Sequence, residues 1–316
     1  MDFVQNGFIG KKAGWVYILT IFLIFIGIQL GGIPLVLAAY FQVDGNFEAF
    51  QRGAQTGFID IGMNSSLYLF LMILTFMSGL LVLFLCVKYL HRRKFKSIIT
   101  SRNSIDWNRI FYAFFLWGII SVLGIYVAMY LSPEKYEWNF NAGPFFTLVF
   151  VSFLFLPFQT STEELIFRGY LMQGIGILFK NRWMPLFVTS VSFGLLHGMN
   201  PEVEKLGYIL MIFYIGTGLF YGIATLMDEG TELAMGLHAS NNIVAAFLVT
   251  TDWMVFRTDA LYKDVSEPSV GLEMYLTVFV LYPMLLLIFS KKYGWTNWRE
   301  KLFGNVQVIR TGNETS

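Results

Sequence analysis

Eight uncharged apolar runs occupy most of this 316-residue chain. They cover 15–40, 67–87, 110–131, 144–162, 185–199, 206–227, 233–251 and 274–290. Most approach the roughly 20 helical residues needed to cross about 30 Å of hydrocarbon; the fifth is short, and the fourth runs straight into a charged helical stretch. The runs predict an all-α, polytopic membrane bundle of about eight transmembrane helices, built as a single integral-membrane domain over 1–316. Composition agrees, with 56% apolar and only 14% charged residues, against roughly 25% charged in a soluble domain. The first run is too long for a signal-peptide core and is followed by seven more, so it is read as a retained anchor.

Lysine and arginine distribute unevenly between alternate loops. With residue 1 inside, the inside segments hold sixteen of them and the outside loops five, namely Arg52, Lys135, Lys205, Arg257 and Lys263, with Arg168 left over within the membrane region. The bias places both termini in the cytoplasm. Short loops leave no room for a soluble domain, and the polar tail after Val308 reads as frayed. A net charge of +1, from 22 basic and 21 acidic residues, offers no footprint for nucleic acid. A single cysteine, Cys86, excludes an intrachain disulfide and a cysteine-based metal site. The partners left are membrane lipid and a hydrophobic or membrane-anchored peptide or protein.

Ionisable side chains inside such a bundle each cost at least about 2.5 kcal/mol, so their positions carry information. Glu163 and Glu164 precede Arg168. Glu164 and Arg168, four apart, share a helix face and can pair, which leaves Glu163, about 100° round the helix, free to point elsewhere. Pro157 predicts a kink or interruption, with Gln159, Thr160, Ser161 and Thr162 available to satisfy freed backbone groups. Of three histidines, His91 lies in the basic loop beside Arg92 and Arg93 and is expected to be solvated or to face headgroups. His197 ends the short fifth run, one turn after Phe193, and His238 shares a face of the seventh with Asn242. Rise along each run puts Glu163, His197 and His238 between mid-membrane and the inner surface, which predicts a site opening to the cytoplasm.

A carboxylate and an imidazole on neighbouring helices can share a water, with Glu163 as general base and His197 orienting it or sharing the proton. His238 and Asn242 can donate to the oxyanion formed when that water attacks a peptide carbonyl. The alternative uses Glu163, His197 and His238 as three ligands of a catalytic zinc with one open position; spacing does not decide between them. The run 163–168 resembles a Glu-Glu-x-x-x-Arg motif, 193–197 a Phe-x-x-x-His motif and 238–242 a His-x-x-x-Asn motif. Together, in this order, they resemble the CAAX-protease and bacteriocin-processing family of intramembrane endopeptidases, which includes the type II CAAX prenyl endopeptidase. The likeness covers about 144–251, the motif-bearing core, and leaves 1–143 as additional spans and a basic cytoplasmic loop.

The resemblance implies an intramembrane protease in which Glu163 and His197 activate water and His238 with Asn242 stabilises the oxyanion. It implies that Glu164, Arg168 and Phe193 support the site structurally. A metal-free mechanism with no cofactor is the favoured reading, Zn2+ the alternative. Short loops and Met- and Phe-rich spans suggest a bacterial cell membrane and peptide-processing or bacteriocin-immunity roles. Two other classes compete: an inactive relative that regulates a membrane partner such as a sensor kinase, using Gly218-x-x-x-Gly222 for contact, and a transporter, disfavoured because inverted repeats are not visible.

Overall fold

A helix that is apolar all round has no preferred wet face and is stable only where its whole surface meets protein or lipid. Each of the eight runs folds as a helix in the computed structural model, which describes residues 2–308 except Phe256. The helices are α1 (Gly14–Gln42), α2 (Ser65–Leu90), α3 (Trp107–Leu131), α4 (Ala142–Phe179), α5 (Trp183–Met199), α6 (Tyr208–Asp228), α7 (Glu232–Leu248) and α8 (Leu272–Tyr293). Six of them are long and apolar enough to cross a membrane; α5 and α7 are shorter. Residues outside the description include the tail beyond Val308, where fraying had been expected.

On α3, Phe111, Phe115, Ile119 and Leu123 recur every fourth residue and stay exposed, a stripe suited to lipid, while Ala113 and Trp117 turn inward. Asn64 and Asp106 cap the starts of α2 and α3, accepting from the backbone N–H of Leu67 and Arg109.

Helix α7 carries both polar residues of the third sequence motif, His238 and Asn242, and lies almost wholly inside the bundle, packed on α3 and α4. Lipid tails supply no hydrophobic drive for helix association, so close packing must do that work. Small residues provide it: a Cβ on Gly236 would stand 2.2 Å from the carbonyl oxygen of Ile110. Gly218 does the same between α6 and α5, where a Cβ would meet the backbone of Ser190 at 2.7 Å. The Gly218 and Gly222 pair is thus spent within the bundle.

The two ends of the bundle differ. At one end the basic segments interlock: Thr100 bridges Gly230, Asn181 bridges Asn305, and Arg102 pairs with Asp228 and Glu232. Residues 2–8 pack on the end of α4, with Asp2 bound to Arg182 and the backbone of Phe3 to Glu229. His91 belongs to this end and is fully buried, contrary to the solvated position expected. Its Nδ1 donates to the carbonyl of Lys11 at 2.8 Å and its Nε2 lies 2.7 Å from the Tyr170 hydroxyl. The opposite end carries a small sheet of β1 (Tyr136–Trp138), β2 (Val249–Thr250) and β3 (Tyr262–Asp264), in the order β1-β3-β2, antiparallel then parallel. This sheet is the one departure from the all-α expectation among the described residues.

Candidate active site

Helix α4 continues through Pro157, and the predicted interruption appears later, as a π-helical turn over Leu165–Leu171. Thr160 and Thr162 hydroxyls donate back to the carbonyls of Leu156 and Phe158. Gln159 does not serve the backbone; it turns into the bundle. A π turn widens the helix by one residue, a device often found at functional sites, and here it begins directly after Glu163 and Glu164.

Glu164 and Arg168 form the intrahelical pair, at 2.9 Å and both without exposure. Arg168 also donates to the Gly218 carbonyl at 3.3 Å and stacks its guanidinium over Phe193, 4.2 Å from the ring centre. The same Glu164 oxygen accepts from His238 Nδ1 at 2.8 Å. Phe193, Arg168, Glu164 and His238 therefore join α5, α4 and α7 through one carboxylate. A carboxylate can only accept, so Nδ1 of His238 carries the proton and Nε2 is the atom left for the cavity, 3.7 Å from Glu163 Oε2.

Glu163 diverges from its neighbour as the 100° offset requires. Its Oε1 accepts from Gln159 Nε2 at 2.5 Å, and the Gln159 oxygen accepts from Asn242 Nδ2 at 2.9 Å. Its Oε2 is buried with no hydrogen-bonding partner in the protein. His197 donates from Nδ1 to the Phe193 carbonyl at 2.8 Å, and a carbonyl cannot donate back, so the lone pair of His197 sits on Nε2. The ring of Tyr214 stacks on His197, 4.6 Å between centroids.

These groups line one cavity of about 340 Å³, walled by Glu163, His197, His238 and Asn242 on its polar side and by Met72, Ile73 and Phe76 of α2 on its apolar side. The size suits a short peptide stretch or side chain, within the range of small-ligand pockets. Helices α6, α7 and α8 add Tyr214, Thr217, Tyr221, Ala245 and Tyr282, and loop residues also contribute, Asn200 and Glu202 between α5 and α6 and Met254 and Val255 between α7 and α8. Those loops belong to the end of the bundle that carries the sheet. A depth counted along each helix fixes a height, while the loops that cover the site are set by the fold.

The proposed zinc ligands do not converge. Glu163 Oε2 and His238 Nε2 approach each other, but among the described residues no three His, Cys, Asp or Glu side chains cluster as a metal site. Structural zinc and catalytic zinc alike need three or four donors at about 2.0–2.3 Å from one point.

Sequence reasoning named Glu163, Glu164, Arg168, Phe193, His197, His238 and Asn242, and the fold brings all seven to this one region. It gave Gln159 to the freed backbone and missed its role as the bridge between Glu163 and Asn242, for which the spacing of four from Glu163 was the available signal. It also missed Tyr214 and Glu202.

A family model described as type II CAAX prenyl endopeptidase Rce1-like matches residues 141–244. The chain is 30% identical over 259 residues to the uncharacterized protein YyaK of Bacillus subtilis (strain 168), covering 78% of this chain and 83% of the relative. No solved structure matches.

Proposed function

From a chain that belongs to the Rce1-like family of CAAX prenyl endopeptidases, we propose an active intramembrane endopeptidase that hydrolyses a peptide bond of a hydrophobic or membrane-associated peptide. The chain is an integral membrane protein of a protease family; the reaction, its residues and a bacterial cell membrane as its place are the reading put forward here. The observation that carries it is the Glu163 carboxylate: one oxygen held by Gln159, the other buried and unpartnered at the wall of a cavity that His197, His238 and Asn242 also line.

In this reading Glu163 Oε2 takes a proton from water as the water oxygen attacks the scissile carbonyl. His197, its lone pair on Nε2, accepts a hydrogen bond from the same water and fixes its orientation. Negative charge developing on the carbonyl oxygen meets the second N–H of Asn242, the first being committed to Gln159, and His238 Nε2. Donation from that nitrogen requires both ring nitrogens to be protonated, with Glu164, which accepts from Nδ1, supplying the countercharge once Glu163 has taken the proton of the water. Glu163 then passes its proton to the leaving amine. No step is assigned to a metal.

The test is cleavage of a panel of hydrophobic membrane peptides by the purified protein beside a Glu163→Gln variant, which keeps size and hydrogen bonding but removes the base. Turnover by the wild type and none by the folded variant supports the reading. Turnover by both removes Glu163 from its role. Activity lost to chelators and restored by zinc overturns the metal-free assignment.

A further inference from the structure

The site is closed on one side and walled by loops on the other. Toward the basic end, Glu164, Arg168, Tyr170, Glu232 and Leu233 are fully buried, and Gly169 lies so close to the Ile98 carbonyl that a Cβ would stand 2.5 Å from its oxygen. No residue of the basic segments 88–106, 180–182, 228–232 or 295–306 lines the cavity. At the other end the rim is organised by one carboxylate. Glu202 accepts from the Tyr214 hydroxyl at 2.5 Å, from Asn200 at 3.0 Å and from the backbone N–H of Val255 at 3.1 Å. It thereby ties the α5–α6 loop to the α7–α8 loop and steadies the tyrosine stacked on His197.

Charge decides which face of the membrane that rim meets. Among the described residues, fifteen lysines and arginines at the closed end against five at the rim end orient the closed end to the cytoplasm. The rim-end loops carry those five cations with twelve carboxylates, among them Glu204, Asp252, Asp259 and Glu267. Arg257 and Lys263 are paired with Asp60 and Asp252, so the excess charge of these loops is negative, and a mouth of net negative charge, walled by low-dielectric protein and lipid, concentrates the opposite sign. Resting on the endopeptidase reading for what happens next, we infer that the cavity is a vestibule open to the outer face of the membrane and that it takes up apolar peptides bearing positive charge.

The experiment reads access and occupancy, not cleavage. On a Cys86→Ser background, single cysteines replace Val255, Met254, Glu204 and Arg299, and intact cells are treated with a membrane-impermeant maleimide. Glu204→Cys and at least one of Val255→Cys and Met254→Cys label in intact cells, and Arg299→Cys labels only after permeabilisation. Labelling of Arg299→Cys in intact cells, or of Glu204→Cys alone, overturns the vestibule. In purified detergent-solubilised protein, an alternating Leu–Lys peptide at ten times its dissociation constant slows labelling of the accessible rim cysteine by about tenfold, and the Leu–Glu counterpart does not. Equal protection by both, protection by the acidic peptide alone, or none by either overturns the charge preference. Protein that labels and is protected as described yet cleaves nothing would fail the endopeptidase reading and leave this inference standing.

Discussion

The Glu164 carboxylate holds two partners at once, Arg168 within its helix and His238 across the bundle, and separating those duties is the sharpest test of the site's construction. Breaking a buried ion pair by removing one member costs about 3–5 kcal/mol, because the other charge is left uncompensated. Arg168→Met leaves Glu164 with His238, so its loss belongs near the lower figure. Glu164→Leu leaves Arg168 with the Gly218 carbonyl and aromatic faces alone, so its loss belongs near the upper one. The double variant removes both charges and strands only the N–H at His238 Nδ1, whose unmet hydrogen bond costs about 1–3 kcal/mol. The double should therefore be more stable than either single variant. At about 2–4 °C per kcal/mol, melting midpoints in detergent, followed by fluorescence-detected gel filtration, should fall about 6–20 °C for the singles and less for the double. Peptide cleavage should stay lost in the double, since His238 is no longer held. Additive losses in the double, or singles that melt like wild type, would refute the reasoning.

Other expectations follow from single contacts. Asn242→Ala should lower kcat by about 10²–10³-fold with little change in KM, and adding His238→Ala should cost less than the product of the two single effects, as donors acting on one oxyanion are not additive; steady-state kinetics on all three variants checks this. Gln159→Leu removes the bond to Glu163 and the acceptor for Asn242, and a charge-assisted bond worth about 1.5–3 kcal/mol corresponds to a loss of about 10- to 100-fold in kcat, measurable with the same substrate and absent if Gln159 is only a space-filler. Burial, with Arg93 assisting against the Lys11 carbonyl, pushes the His91 imidazole down to about 4 from an ordinary 6.5. The unfolded chain then binds the extra proton first, so the stability His91 contributes is present above about pH 6.5 and is lost as pH falls toward 4; melting of wild type beside His91→Gln across that window should show the wild type losing ground as pH drops, and parallel curves would refute it.

What the sequence disclosed was whatever a single helix encodes. A spacing of four put Glu164 on Arg168 and His238 beside Asn242, and apolar runs marked all eight helices of the bundle, though not the short helices Phe47–Gln55, Pro201–Leu206 and Trp298–Phe303. What it hid lay between helices. The hydrogen bond from His238 to Glu164 spans 74 residues of chain, and nothing local distinguishes Tyr214 from the other tyrosines until its ring lies on His197. His91 misled because its neighbours Arg92 and Arg93 are basic, yet Tyr170 and Lys11, from distant segments, close over it. The loops that wall the cavity stayed hidden for a related reason: Glu202 gathers two of them through Tyr214, Asn200 and Val255, which no count along one helix contains.

Residues 2–8 sit in a groove completed by partners made much later: Glu229 holds the backbone of Phe3, and Gln5 reaches the carbonyl of Gln307. At about 5–20 residues per second, the ribosome adds those partners roughly ten seconds to a minute after the first helix has emerged. For that interval the bundle exists as an unlatched set of inserted helices, with Phe3 and Val4, fully buried in the finished protein, still exposed. Assembly of this protein thus closes at its basic end, where the late-made Glu229 and Gln307 lock residues 2–8 in place.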